Sequence, residues 1–210
     1  DLITDGRNHF THNHNGSQLY KIEETNPYVE AFFKWWESDL HGTLDELRIT
    51  GGEPLMSAET WRLVDWYKAN KGKSKTRLAI NTNLCAKPEL IDKLIQLSHD
   101  VESLDIYTST EAIGHRAEYI RDGMKWKQWS DNMHRLATEA KLNGLHVMAT
   151  PSVLSIMEIR QFLDWCLYFK RLYGRDYPTF TLNILRFPSF QSVTVLPEGM
   201  RYFAAKYLKD

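Results

Sequence analysis

The pattern of hydrophobic and polar positions predicts short strands that alternate with amphipathic helices. Alternating apolar residues, and short apolar runs bounded by turn residues, predict five strands that begin near Leu47, Arg77, Leu104, Leu145 and Phe180. Apolar residues at helical spacing predict helices over residues 28–40, 57–67, 88–95, 129–140, 159–167 and 197–208. The chain is therefore expected to repeat a strand–helix unit.

This alternation, without an obvious two-stranded hairpin, favours an α/β fold with a parallel sheet and right-handed crossovers. The carboxyl ends of parallel strands meet at one edge of the sheet, where such folds place their ligand sites. Polar side chains follow the predicted strands at Glu53, Asn81, Thr82, Ser109 and Thr150. We therefore expect these side chains to lie close together.

Composition and charge narrow the class of protein. A chain of 210 residues with 42% hydrophobic content can bury a full core and is predicted to form one domain. The formal net charge of −1 does not indicate a nucleic-acid or membrane partner. The sequence has no apolar run near the roughly 20 residues that span a bilayer, so a cytoplasmic protein is expected. Cys85 and Cys166 are too far apart to predict a local metal motif or a disulfide framework.

The segment Gly51-Gly52-Glu53-Pro54 carries the most specific chemistry. The glycines allow a sharp turn and leave main-chain groups uncovered, while Pro54 ends the preceding strand. Glu53 adds a negative acceptor. Uncovered carbonyl oxygens together with a carboxylate suit the binding of an ammonium group.

With this context, the chain resembles the radical S-adenosylmethionine enzymes, in which a Gly-Gly-Glu-Pro segment after the second strand holds the amino group of the cofactor. The resemblance extends to Asn81 and Thr82 at the end of the next strand. It also covers Ser109 and the Arg121 of Tyr119-Ile120-Arg121, which in the family approach the cofactor's carboxylate and ribose. An arginine suits this role because its planar fork can pair with both carboxylate oxygens. In isolation, Asn81 and Thr82 would more often be turn formers.

The resemblance implies a partial (β/α)6 TIM-like barrel, of which residues 1–210 supply strands two to six. Members of the family hold a [4Fe–4S] cluster with a C-x3-C-x2-C loop, which this sequence lacks; we expect it upstream of Asp1, together with the first strand. The implied reaction generates a 5′-deoxyadenosyl radical that removes hydrogen from a peptide or protein, with electrons from a reductase or flavodoxin-like donor. Residues 197–210 resemble the link to a C-terminal accessory domain of the twitch type.

Two alternatives come from other classes. A non-radical α/β barrel enzyme would need a lysine or a metal-binding pair of carboxylates at the sheet edge, and the sequence shows neither convincingly. A catalytically inactive barrel could instead bind S-adenosylmethionine or a partner protein. Elsewhere, His9, His12 and His14 could ligate a metal, although the surrounding Asn and Gly residues favour a solvated loop.

Overall fold

The computed structural model describes residues 2–4, 10–12, 26–174 and 177–209, the first two ranges as backbone only. The chain divides into two compact units, residues 1–40 and 41–210. His9 and His14 lie outside the described residues, so the proposed histidine metal site is not tested.

The first unit contains an antiparallel pair of strands and one helix. Strand β1 (Leu2–Thr4) pairs with β2 (Phe10–His12), and the helix α1 (Pro27–Trp35) is followed by a π-helical turn (Trp36–Leu40). Asn26 begins α1 because its side chain accepts a hydrogen bond from the backbone N–H of Tyr28, at 3.0 Å. The strand pair was not predicted, since three-residue strands are too short to show a period.

The second unit alternates strands and helices. In chain order, its elements are α2 (His41–Thr43), β3 (Glu46–Ile49), α3 (Ala58–Ala69), β4 (Arg77–Asn81), α4 (Pro88–Asp100), β5 (Leu104–Ser109), α5 (Gly114–Ile120), α6 (Trp126–Glu139), β6 (Gly144–Ala149), α7 (Ile159–Tyr173), β7 (Thr179–Leu182) and α8 (Glu198–Tyr207). Among the described residues, no helix has both the length and the apolar character needed to cross a bilayer.

The strands of the second unit form a five-stranded parallel sheet in the order β3-β4-β5-β6-β7. This confirms the predicted α/β class and the parallel sheet. All five predicted strands are present, and the last of them, β7, covers Thr179–Leu182. The helix α5 was not predicted, because its seven residues show only a short apolar pattern.

The two faces of the sheet differ in chemistry. The apolar face carries side chains that are almost fully buried: Leu78, Ile80, Leu104, Ile106, Leu145 and Val147. Helices α6 and α7 cover it, since the indole N–H of Trp129 donates to the hydroxyl of Thr108 at 3.0 Å and the ring of Phe162 contacts that of Phe180. Burial of each large apolar side chain contributes roughly 1.5–3 kcal/mol to stability.

The opposite face, which we call the polar face, presents the alternate residues of the same strands. Its residues include Glu46, Arg48, Arg77, Asn81, Asp105, Tyr107, Ser109, His146, Met148 and Thr179. The sheet thus places a hydrophobic core on one side and a charged surface on the other.

Candidate functional site

A cavity of about 300 Å³ lies at the carboxyl ends of β3, β4, β5 and β6. Of the nine residues predicted to bind the cofactor, six line it: Gly51, Gly52, Asn81, Thr82, Ser109 and Arg121. The lining residues missing from that prediction are Thr50, Asn83, Cys85, Asp122, Met124 and Met148. Three of them, Thr50, Asn83 and Asp122, are adjacent in sequence to a predicted residue.

Three predicted site residues do not line the cavity. Pro54 is buried at the start of a short 3₁₀ turn (Pro54–Met56) that follows the glycines. Thr150 lies just beyond the end of β6, where the alternation of side chains along a strand no longer fixes its direction. Glu53 lies next to the cavity, but its carboxylate serves the protein itself.

The carboxylate of Glu53 links the glycine turn to the end of β4. One oxygen accepts hydrogen bonds from the hydroxyl of Thr82 at 2.6 Å and from the backbone N–H of Leu55 at 3.2 Å. The other oxygen accepts from the backbone N–H of Asn83 at 2.7 Å. Glu53 therefore positions the turn and the residues beside it, and the expected contact of its carboxylate with an ammonium group stays a prediction.

The glycine turn leaves its peptide groups open. Gly51 has φ +130°, a conformation that side-chain-bearing residues rarely adopt, and a Cβ on either glycine would meet no atom within 4 Å. Among the described residues, no hydrogen-bond partner contacts the peptide groups of Gly51 or Gly52. The turn can thus offer main-chain carbonyl oxygens to a ligand.

The turn after β4 has a strained backbone and is held by hydrogen bonds. Leu84 has φ +54°, which is unusual for a residue with a side chain, and its side chain is fully buried. Its N–H donates to the hydroxyl of Thr82 at 3.1 Å, and its carbonyl accepts from the amide of Asn132 at 2.8 Å. These bonds hold Asn81, Thr82 and Asn83 in a fixed position along the cavity wall.

Arg121 is held at the cavity by a buried carboxylate that the sequence did not identify. Its guanidinium contacts Glu111 at 2.5 Å, and Glu111 is only 4% exposed. The Nε of Arg121 is buried without a partner among the described residues, as is the side-chain oxygen of Asn81. Unpaired buried polar atoms are costly, and both of these belong to side chains that line the cavity.

Cys85 also lines the cavity, while Cys166 lies in the apolar interface of α7. Burial raises the pKa of the Cys85 thiol, opposed by a hydrogen bond from the backbone N–H of Lys125. Burial raises the pKa of Cys166 to about 12. Both thiols are consequently protonated at neutral pH, whereas a metal-bound cysteine is a thiolate. Among the described residues, no three His, Cys, Asp or Glu side chains are placed to hold a metal ion.

The arrangement suits a ligand with separate positive and negative groups. Open carbonyl oxygens of the glycine turn can accept from an ammonium group, and Arg121 and Ser109 can donate to a carboxylate or a sugar hydroxyl. Comparison of the chain with models of known protein families, with curated proteins and with solved structures finds no match.

Proposed function

We propose that the cavity binds S-adenosylmethionine, and that the chain is the cofactor-binding part of a radical S-adenosylmethionine enzyme. One observation carries the proposal. Residues from four separate stretches of sequence, assigned to one cofactor from their motifs, line a single cavity. Its volume of about 300 Å³ is at the lower end of the roughly 300–1,000 Å³ that small-molecule sites occupy.

The order of the strands supports the proposed barrel. Doubly wound sheets reverse their strand order at the ligand site, whereas barrels add each strand beside the previous one. The five parallel strands follow one another without reversal. We accordingly propose that they form part of a (β/α)6 barrel whose open side is the polar face.

The residues present fit the chemical groups of S-adenosylmethionine. The carbonyl oxygens of Gly51 and Gly52 would accept hydrogen bonds from its ammonium group, and Asn81 and Thr82 would lie beside it. Arg121, whose Nε has no partner among the described residues, would pair with its carboxylate together with Ser109. When bound, S-adenosylmethionine supplies a sulfonium centre whose carbon–sulfur bonds are activated for cleavage.

The residues do not fit an iron–sulfur cluster. Such a cluster needs three or four cysteine thiolates, and this sequence contains two cysteines, whose thiols burial keeps protonated. A radical reaction on a peptide or protein, with a reductase or flavodoxin-like donor, would therefore depend on cluster ligands that this sequence does not contain. The function proposed for these residues is to grip the cofactor.

Arg121→Lys tests this role while leaving a positive charge for the buried Glu111. The lysine cannot reproduce the planar fork, so we expect the dissociation constant for S-adenosylmethionine to rise about tenfold, equivalent to about 1.4 kcal/mol. Isothermal titration calorimetry of the 210-residue chain measures this change.

Arg116→Lys is the matched control. Arg116 also forms an ion pair, with Glu158, but it does not line the cavity. We expect this variant to bind S-adenosylmethionine as the original chain does. Equal affinities for the two variants, or no binding by the original chain, would contradict the proposed role.

A further inference from the structure

The polar face is unusual for a parallel sheet. Such sheets are normally covered on both sides by apolar layers. Here the middle rows of the face carry charged and aromatic groups: Glu46, Arg48, Arg77, Asp105, Tyr107, His146 and Thr179. Solvent reaches part of this face, since the side chain of Arg48 is 40% exposed and Thr179 is exposed, whereas Asp105 is buried. A charged, accessible surface beside the cavity calls for a functional explanation.

Several of these side chains form a network of ion pairs and hydrogen bonds that supports the sheet. Arg77 contacts Glu46 at 2.6 Å and Asp105 at 3.2 Å. The Nε2 of His146 donates to Asp105 at 2.8 Å, since an ionised carboxylate can only accept, and its Nδ1 bonds to the Thr179 hydroxyl at 2.6 Å. Both ring nitrogens of His146 are engaged, so it is not free to act as a base.

Arg48 and Tyr107 lie side by side and retain unused donors, and the Nη1 of Arg77 likewise has no acceptor among the described residues. The guanidinium carbon of Arg48 lies 4.3 Å from the centre of the Tyr107 ring, and Nε and Nη2 approach one oxygen of Glu46 at 3.3 and 3.2 Å. The described residues offer no acceptor to the Nη1 of Arg48 or to the hydroxyl of Tyr107. The other face of Tyr107 stacks on His146 with ring centres 4.2 Å apart, which fixes the phenol.

Arg48 and Tyr107 lie on the polar face next to the cavity, displaced from it toward the amino ends of the strands. Tyr107 precedes the cavity residue Ser109 by two positions on β5, a rise of about 7 Å along the strand. His146 likewise precedes Met148 on β6. A small molecule seated on Arg48 and Tyr107 would therefore reach a ligand in the cavity.

We propose that Arg48 and Tyr107 bind the carboxylate group of a second molecule, the substrate, beside the S-adenosylmethionine cavity. Only the identification of this second molecule as the substrate rests on the proposed function; the carboxylate site itself does not. A guanidinium with free N–H groups and a neighbouring hydroxyl match the two oxygens of a carboxylate. A doubly charged phosphate fits less well, because the nearby carboxylates of Glu46 and Asp105 repel its second negative charge.

N-acetylglycine, as a minimal carboxylate, and inorganic phosphate probe this site on the full 210-residue chain. Binding is followed through the NMR signals of the Tyr107 ring and the arginine side chains. We expect N-acetylglycine to bind more tightly than phosphate and Arg48→Gln to weaken it at least tenfold. Arg171→Gln, an exposed arginine at the end of α7, is the control and should change nothing.

The same samples are titrated with S-adenosylmethionine, which separates the two proposals. Retained S-adenosylmethionine binding in Arg48→Gln shows that the variant is folded. N-acetylglycine affinity that is equal in Arg48→Gln and in the original chain, or tighter binding of phosphate, overturns the carboxylate site and leaves the cofactor proposal standing. Loss of N-acetylglycine binding in Arg48→Gln, with no S-adenosylmethionine binding by any chain, supports the carboxylate site and rejects the cofactor proposal.

Discussion

Gly144→Ala is expected to lower the free energy of unfolding by about 3 kcal/mol. This magnitude is typical of substitutions that overpack a core or break a buried ion pair. A methyl group on Gly144 would overlap the imidazole of His146 and the carboxylate of Asp105. Asp105 is buried and also pairs with Arg77, so the pair cannot move aside without leaving a charge without its partner. Urea denaturation followed by circular dichroism measures the change.

Gly199→Ala is the control for this substitution. Gly199 lies in the first turn of α8, where an added methyl group meets no atom within 4 Å. Alanine favours a helix over glycine by up to about 1 kcal/mol, so this variant should be as stable as the original chain or slightly more stable. Equal stability of the Gly144 and Gly199 variants would contradict the packing described for Asp105 and His146.

Glu53→Gln is expected to impair both stability and cofactor binding, although glutamine has nearly the same shape. One carboxylate oxygen accepts a hydrogen bond from the backbone N–H of Leu55, and the other accepts from the backbone N–H of Asn83. A backbone N–H group can only donate. The amide nitrogen of glutamine must face one of these N–H groups in either orientation. We expect a loss of about 1–3 kcal/mol in the free energy of unfolding. We also expect at least tenfold weaker binding of S-adenosylmethionine, because the glycine turn loses its link to β4.

Glu102→Gln is the matched control, since Glu102 is exposed in the loop before β5. Its stability and affinity should equal those of the original chain. A Glu53→Gln variant with unchanged stability but weaker binding would show that Glu53 contacts the ligand directly instead of holding the turn. Unchanged stability and unchanged affinity would remove Glu53 from the site altogether.

The sequence predicted the sheet well because local and long-range requirements agree there. Residues such as Leu78, Ile80, Leu104 and Ile106 alternate or cluster as a sheet demands, and all are buried against helices. The convergence of Asn81, Thr82 and Ser109 could be expected as well, because parallel strands must end at one edge. Each of these predictions followed from periodicity combined with one topological rule.

The partners of charged groups could not be predicted in this way. The pairing of Arg121 with Glu111, and that of Glu53 with Thr82, depend on how two loops meet after folding. The left-handed conformation of Leu84 likewise has no local signal, since its hydrogen bond from Asn132 crosses 48 positions of sequence. The partners of buried polar groups are set by the tertiary fold, so the order of residues along the chain does not predict them.

Amide NMR of the labelled chain, titrated with S-adenosylmethionine, tests the proposed cofactor site most directly. We predict saturable shifts that are largest for Gly51, Gly52, Asn83, Arg121 and Asp122, which border the cavity. The amides of α7 and α8, which contribute no residue to the cavity lining, should change little. An absence of shifts, or shifts centred on those helices and not on the glycine turn, would contradict S-adenosylmethionine binding at the end of this sheet.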